Sequence, residues 1–345
     1  MLAGTDHQAP GSLSQHRFDG SMSFAELEFP PLIVLVGPTA VGKTAVYIQL
    51  AKQFDIELVS ADSRLFYRGL DIGTAKPTNA ERKLVPHHLI DVVDPDQPWS
   101  LADYRRVVQQ TILAIHRRGK LPVLIGGTGQ YVSAIVEGWQ PPPRPQTDAY
   151  RQELEAYAEQ EGSQALHSRL AGIDPASAAR IDHRNIRRVI RALEIFEITG
   201  KPASELRVKQ APAYRILRLG LSLPRQQLYQ RLDARLEAML EAGWEVEVRR
   251  LLDQGYDFMS PAFSAIGYRQ MAAYVRGEKS LDQVKQEIKR ITRQFVRRQA
   301  NWFKPDDARI HWFVNHDAVV DEISVLIRTW LKDAVGKDAE LEDAV

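Results

Sequence analysis

The chain has 345 residues, 45 Lys+Arg against 44 Asp+Glu, and no cysteine. At roughly 150 residues per domain the length suggests about two domains, enough to bury a core without staples. Balanced charge excludes a uniformly basic nucleic-acid coat but not local patches. The lack of cysteine excludes disulfides, thiolate metal sites and thiol catalysis and fits a reducing cytosol. No apolar run approaches the ~18 residues of a membrane span, so a soluble, cytoplasmic protein that spans no membrane is expected.

Residues 1–30 are polar, Gly/Ser/Gln-rich and non-periodic, without the charged start and apolar stretch of a secretory signal, and read as a disordered extension. Residues 32–36 are a β-branched apolar run, followed by a Gly-rich turn and a helical stretch over 44–53. A second strand is expected at 56–61, an amphipathic helix at 101–118 and a third strand at 121–125. The PPPRP segment at 141–145 is a stiff break. From there to 210 the sequence is helical and Arg-rich, a helical insertion domain projecting from the sheet. Residues 214–223 alternate as a fourth strand, a second helical block runs over 225–305, and 334–345 form a short acidic tail. Strand–helix alternation argues an α/β fold: a P-loop doubly wound parallel sheet over 31–140 and 211–330, with a helical C-terminal region.

Gly37, Pro38, Thr39, Ala40, Val41, Gly42, Lys43 and Thr44 match G-x-x-x-x-G-K-[ST] between a strand and a helix. Glycines let the backbone turn its N–H groups onto phosphate oxygens, the helix adds its positive end, Lys43 adds a point charge, and the Thr44 hydroxyl can ligate Mg²⁺. This establishes polyphosphate binding, not ATP hydrolysis. An NTPase would also end an apolar strand on a Mg²⁺-holding Asp, for which Asp62 and Asp91 are candidates. Asp62 closes the second strand at its carboxyl end, where doubly wound sheets bind ligands. It could hold Mg²⁺, take a proton from a nucleophile attacking the phosphate-borne group, or cap a following helix. Gly126-Gly127-Thr128-Gly129 follows the third strand and either admits a ligand close to the backbone beside the Thr128 hydroxyl or makes a plain turn.

These motifs are followed or interleaved by YRGLDIGTAKP at 67–77, PHHLID at 86–91, RRVIRALE at 187–194, AIGYR at 265–269 and RQFVRRQANWF at 293–303. In this order they resemble the tRNA dimethylallyltransferase (tRNA isopentenyltransferase) family from about residue 31 to 315. The absence of a Cys/His zinc module makes the chain similar to its bacterial or organellar form. The resemblance implies transfer of a five-carbon group from dimethylallyl diphosphate to N6 of the adenosine just 3′ of the anticodon, in tRNAs reading codons that begin with U. It implies that the P-loop and Arg235 hold the diphosphate with Mg²⁺ on Thr44, that Asp62 is the general base, and that Thr128 orients the reactants. Asp62, Ser63, Arg64 and Leu65 would meet the RNA, with Arg64-Leu65 standing where the family usually has Met-Gln. Ile266, Gly267, Tyr268 and Arg269 would join them, Tyr268 either stacking on a displaced base or filling the core.

Two basic stretches suggest the grip on RNA. Residues 180–191 carry a local net charge of +4 and residues 285–304 one of +6. Helical spacing puts Ile186, Val189, Ile190, Leu193 and Phe196 on one face, with Arg184, Arg187, Arg188 and Arg191 opposite. In the second stretch Ile288, Ile291, Phe295 and Trp302 form the core stripe, with Arg290, Arg293, Arg297 and Lys304 opposite. Such faces would contact phosphates of the tRNA anticodon stem-loop, while the target base leaves its stack. A monomer is expected. A prenyltransferase of free nucleotides, a small-molecule P-loop kinase and a non-catalytic RNA-binding protein compete with this reading. The basic runs and the insertion argue against a mononucleotide acceptor.

Overall fold

The computed structural model describes residues 24, 27–142, 149–206 and 210–342, with side chains to 333. The expected extension over 1–30 therefore lies almost wholly outside the described residues. Six strands, β1 (Pro31–Val36), β2 (Ile56–Ser60), β3 (His87–His88), β4 (Leu121–Ile125), β5 (Arg215–Ser222) and β6 (His311–Val314), make one sheet in the order β3-β2-β4-β1-β5-β6. All neighbouring pairs are parallel. The four strands expected from the sequence are its four central ones. β3 and β6, two and four residues long, add the two edges and are too short to show a strand period.

β1 is buried at every position because both faces of a parallel sheet are covered. Its side chains alternate. Leu32, Val34 and Val36 face a core that includes Tyr104, Val108, Ile112 and Ile115 of the long helix after β3. Ile33 and Leu35 face Val46, Tyr47 and Leu50 of the first helix and Ile323 and Ile327 of the last. In chain order the sheet helices are α1 (Lys43–Leu50), α2 (Asn79–Leu84), α3 (Leu101–Arg117) and α4 (Gly129–Val136). α3 begins in a capping box, Ser100 Oγ accepting from Asp103 N at 3.0 Å and Asp103 Oδ2 from Ser100 N at 3.2 Å.

A helical branch follows: α5 (Ala149–Glu161), α6 (Ser163–Ile173), α7 (Pro175–Ala178) and α8 (Ile186–Thr199). It packs around its own cluster, with Leu154, Leu166, Leu170, Val189, Ile190 and Leu193 at the centre. Asp174, 2% exposed, ties the branch together: its carboxylate accepts from Ser177 N and Ser204 N, both at 2.9 Å, and from Ser204 Oγ at 2.7 Å.

After β5 come α9 (Arg225–Glu241), α10 (Trp244–Asp253), α11 (Tyr268–Val275) and α12 (Leu281–Ala300), then α13 (Val319–Glu342) after β6. The stretch expected as an acidic tail from 334 is thus helical as far as Glu342. Among the described residues no helix is long and apolar enough to cross a membrane.

Candidate active site

The strands all point the same way, so the loops after β1, β2, β4 and β6 meet beyond their carboxyl ends. Residues 37–44 make the first loop. Gly42 takes φ 102° at the start of α1, and a Cβ there would stand 2.4 Å from Asn315 Nδ2, so no side chain fits. Asn315, just beyond β6, donates that amide to the Val41 carbonyl at 2.6 Å. Lys43 folds over the loop and donates to the carbonyls of Gly37 and Pro38, both at 2.9 Å. Burial lowers the Lys43 pKa to about 8; the Asp62 carboxylate pulls it back up and the Arg235 guanidinium pushes it further down. Lys43, Asp62 and Arg235 thus share one crevice although they come from three elements. Arg235 itself is held by the Thr74 carbonyl at 3.3 Å, and burial lowers its pKa against the pull of Asp62.

Asp62 caps no helix, since residues 63–66 form turns. Its Oδ1 accepts from Arg64 N at 3.0 Å, a local turn that leaves the carboxylate half-exposed. Thr128 accepts a hydrogen bond from Ser63 N through its hydroxyl and donates its own N–H to the Ala61 carbonyl, each at 3.3 Å. Gly126 permits this seam: a Cβ on it would stand 2.4 Å from the Ala61 carbonyl. Asp62 and Thr128 are therefore neighbours on joined loops. Asp91, the other acid considered for Mg²⁺, is taken by Lys76 at 2.5 Å and Arg82 at 2.9 Å. Burial alone would raise its pKa, but these hydrogen bonds and charges lower it.

Three positioning residues escaped the sequence reading. Gln299 on α12 accepts from Thr39 N at 3.1 Å and donates to the Gly127 carbonyl at 3.0 Å, clamping the P-loop to the 126–129 loop. Its signal was a polar residue in phase with Val284, Ile288 and Val296, the buried stripe. Glu247 on α10, 6% exposed, accepts from Asp71 N at 2.8 Å, Ile72 N at 2.7 Å and Gly73 N at 3.3 Å. It thereby shapes the turn whose next carbonyl, at Thr74, holds Arg235. Asn315 is the third, and nothing in the sequence around it marks it.

The RNA-facing expectations divide. Arg187 and Arg188 of α8 are exposed, as expected, but Arg191 turns inward, donating to Glu194 at 3.3 Å and the Pro142 carbonyl at 3.0 Å. On α12 Arg297 is exposed, whereas Arg293 donates to Asp233 at 2.8 Å and lies over the Tyr229 ring. Tyr268 is fully buried and donates its hydroxyl to Glu247 at 2.7 Å, so it serves the core and stacks on no base. Gly267 is buried beside it, Ile266 is half-buried, and Arg269 is exposed, its guanidinium donating to the Phe258 carbonyl at 3.1 Å. Trp302, expected in the core, is 44% exposed. Ser63, Arg64 and Leu65 are half-buried at the rim, and Arg64 donates to Ser264 Oγ at 2.7 Å.

Among the described residues no cluster of three or more His, Asp or Glu could cage a metal. Thr44 in the first turn of α1 suits a Mg²⁺ that takes its other ligands from phosphate oxygens and water, the usual arrangement at nucleotide phosphates.

Loop, crevice and sheet together define an α/β protein of parallel-sheet class with one crevice at the carboxyl ends of its strands. A profile of the family described as IPP transferase matches residues 65–306, and one described as isopentenyl transferase matches residues 30–91. A tRNA dimethylallyltransferase of Roseiflexus sp. (strain RS-1) is 50% identical over 304 residues, 87% of this chain and 99% of that protein. The crystal structure of the full-length tRNA isopentenylpyrophosphate transferase from Bacillus halodurans is 39% identical, covers 91% of this chain and 99% of its own, and superposes with a TM-score of 0.65. A eukaryotic dimethylallyltransferase acting on tRNA is 28% identical, with 82% of this chain and 73% of that chain covered and a TM-score of 0.70. The chain belongs to the tRNA dimethylallyltransferase family.

Proposed function

We propose that the enzyme transfers the dimethylallyl group of dimethylallyl diphosphate to N6 of the adenosine 3′-adjacent to the anticodon (A37), in tRNAs reading codons that begin with U. As the allylic C–O bond breaks, charge builds on the diphosphate, and the backbone N–H groups of 37–44, Lys43 and Arg235 are the donors that meet it. Thr44 would hold Mg²⁺, which supplies further neutralisation of the diphosphate. The adenine N6 lone pair is delocalised into the ring, so attack is assisted when Asp62 accepts one N6 proton as the N–C bond forms. Thr128, bonded to the backbone beside Asp62, keeps that loop in place. The observation that supports this reading is that one carboxylate, Asp62, shares a crevice with Lys43 and Arg235.

Arg187, Arg188 and Arg297 supply phosphate contacts on the anticodon stem-loop, and the enzyme acts as a monomer. The test is mass analysis of nucleosides after incubating the protein with unmodified tRNA and dimethylallyl diphosphate. Dimethylallyladenosine at A37 is expected, and transfer to free AMP alone would overturn the reading.

A further inference from the structure

We propose that Arg231 is a second guanidinium of the diphosphate site, closing on the outer phosphate from the solvent side. This rests on reading residues 37–44 as the cradle of the donor's diphosphate.

Arg231 lies one helical turn before Arg235 on α9 and so shares its face, beside the ridge of Leu228, Leu232 and Leu236 that seats the helix. Its Nη1 is 3.4 Å from the Val41 carbonyl and would be 3.5 Å from a Cβ on Gly42. The guanidinium therefore stands at the N-terminus of α1, a place where the helix dipole disfavours a cation unless an anion lies between them. No acid among the described residues pairs with Arg231. Of the acids of its own helix, Asp233 is engaged by Arg293 and Glu237 by Lys285 and Lys289, and Glu241 lies at the far end of α9, away from the cradle.

Its one neutral contact is dispensable. The Val41 carbonyl already accepts from Asn315 at 2.6 Å, so Arg231 can swing away without stranding a buried acceptor. Arg231 is exposed where Arg235 is half-buried. The two arginines thus approach the cradle at different depths, Arg235 near the reacting end with Asp62 and Arg231 at the rim.

Calorimetric titration of the full chain with inorganic diphosphate and Mg²⁺ tests this. Arg231→Ala should weaken diphosphate about tenfold, the scale of one charge-assisted contact. The donor KM should rise by a similar factor, kcat at saturating donor should stay within about threefold, and Arg231→Lys should fall between. The tRNA Kd, measured in parallel, should stay within about twofold, which also reports an intact fold. Unchanged diphosphate affinity in Arg231→Ala, with Lys43→Ala binding poorly, would overturn this role while leaving the cradle reading intact. A larger loss for tRNA than for diphosphate would overturn it by assigning Arg231 to the RNA. Equal diphosphate binding by the parent and Lys43→Ala would overturn both.

Discussion

In the crevice, Lys43, Asp62 and Arg235 come from three elements, and the Asp62 carboxylate and the Arg235 guanidinium pull the Lys43 ammonium in opposite directions. In the helical branch, Arg187 and Arg188 follow one another on α8 with their side chains in water. Low dielectric makes each crevice charge count heavily, so a single change there should reach the chemistry. Screened charges in water act weakly and collectively, so a single change there should alter only the salt-dependent grip. α12 lies between these extremes. Lys285, Lys289 and Arg293 are paired with Glu237 and Asp233 of α9, so part of its basic count fastens two helices and is not offered to RNA. A local net charge is therefore an upper bound on an RNA footprint.

The sharpest test of this division is Asp62→Ala. Turnover should fall by ~10²–10⁴, the usual loss for a general base, with tRNA affinity nearly kept. Single-turnover kinetics beside a binding assay would measure both, and a matching loss of tRNA binding would dissolve the distinction. Next comes pH. Burial holds Lys43 at about 8, so its charge is lost as pH rises through that value, earlier than for an ordinary lysine. The donor kcat/KM should be level below about pH 8 and fall above it, up to tenfold per unit. Lys43→Arg should remove the break, and the tRNA Kd should not show it.

In the branch, Asp174→Ala should cost about 0.5–2 kcal/mol of stability, as for loss of a helix cap. Burial alone would raise the Asp174 pKa, but the hydrogen bonds from Ser177 and Ser204 hold it at about 2. Because the folded value is depressed, its contribution is complete above the ordinary carboxylate range and disappears as pH falls toward about 2. Limited proteolysis should show cleavage confined to the branch, with the donor KM unmoved. The smallest effect is expected from Arg188→Ala, which should lower the log–log salt slope of tRNA binding by about one. Arg293→Ala should change that slope less, because its guanidinium already meets Asp233.

Much of the crevice was legible because its chemistry is contiguous. A phosphate loop needs its glycines, lysine and threonine within eight residues, and the apolar strand before it announces where the loop sits. Asp62 and Thr128 could be placed because each follows an apolar strand and parallel strands end on one side. Faces were harder to read. Trp302, expected in the core stripe, is exposed, and Tyr268, for which a stacking and a core place were both open, is buried, since a helical or loop position does not say which neighbour will cover it.

The amino-acid order by itself determined the four central strands, the cradle and the acid beside it, all set by short-range patterns of apolar, glycine and charged residues. Only the tertiary structure decided what holds them: Gln299 meets Thr39 across 260 residues of chain, Asn315 meets Val41 across 274, and Glu247 meets Asp71 across 176. Such partners are chosen by which backbone groups the packed sheet leaves unsatisfied, and that is settled only once the strands have paired.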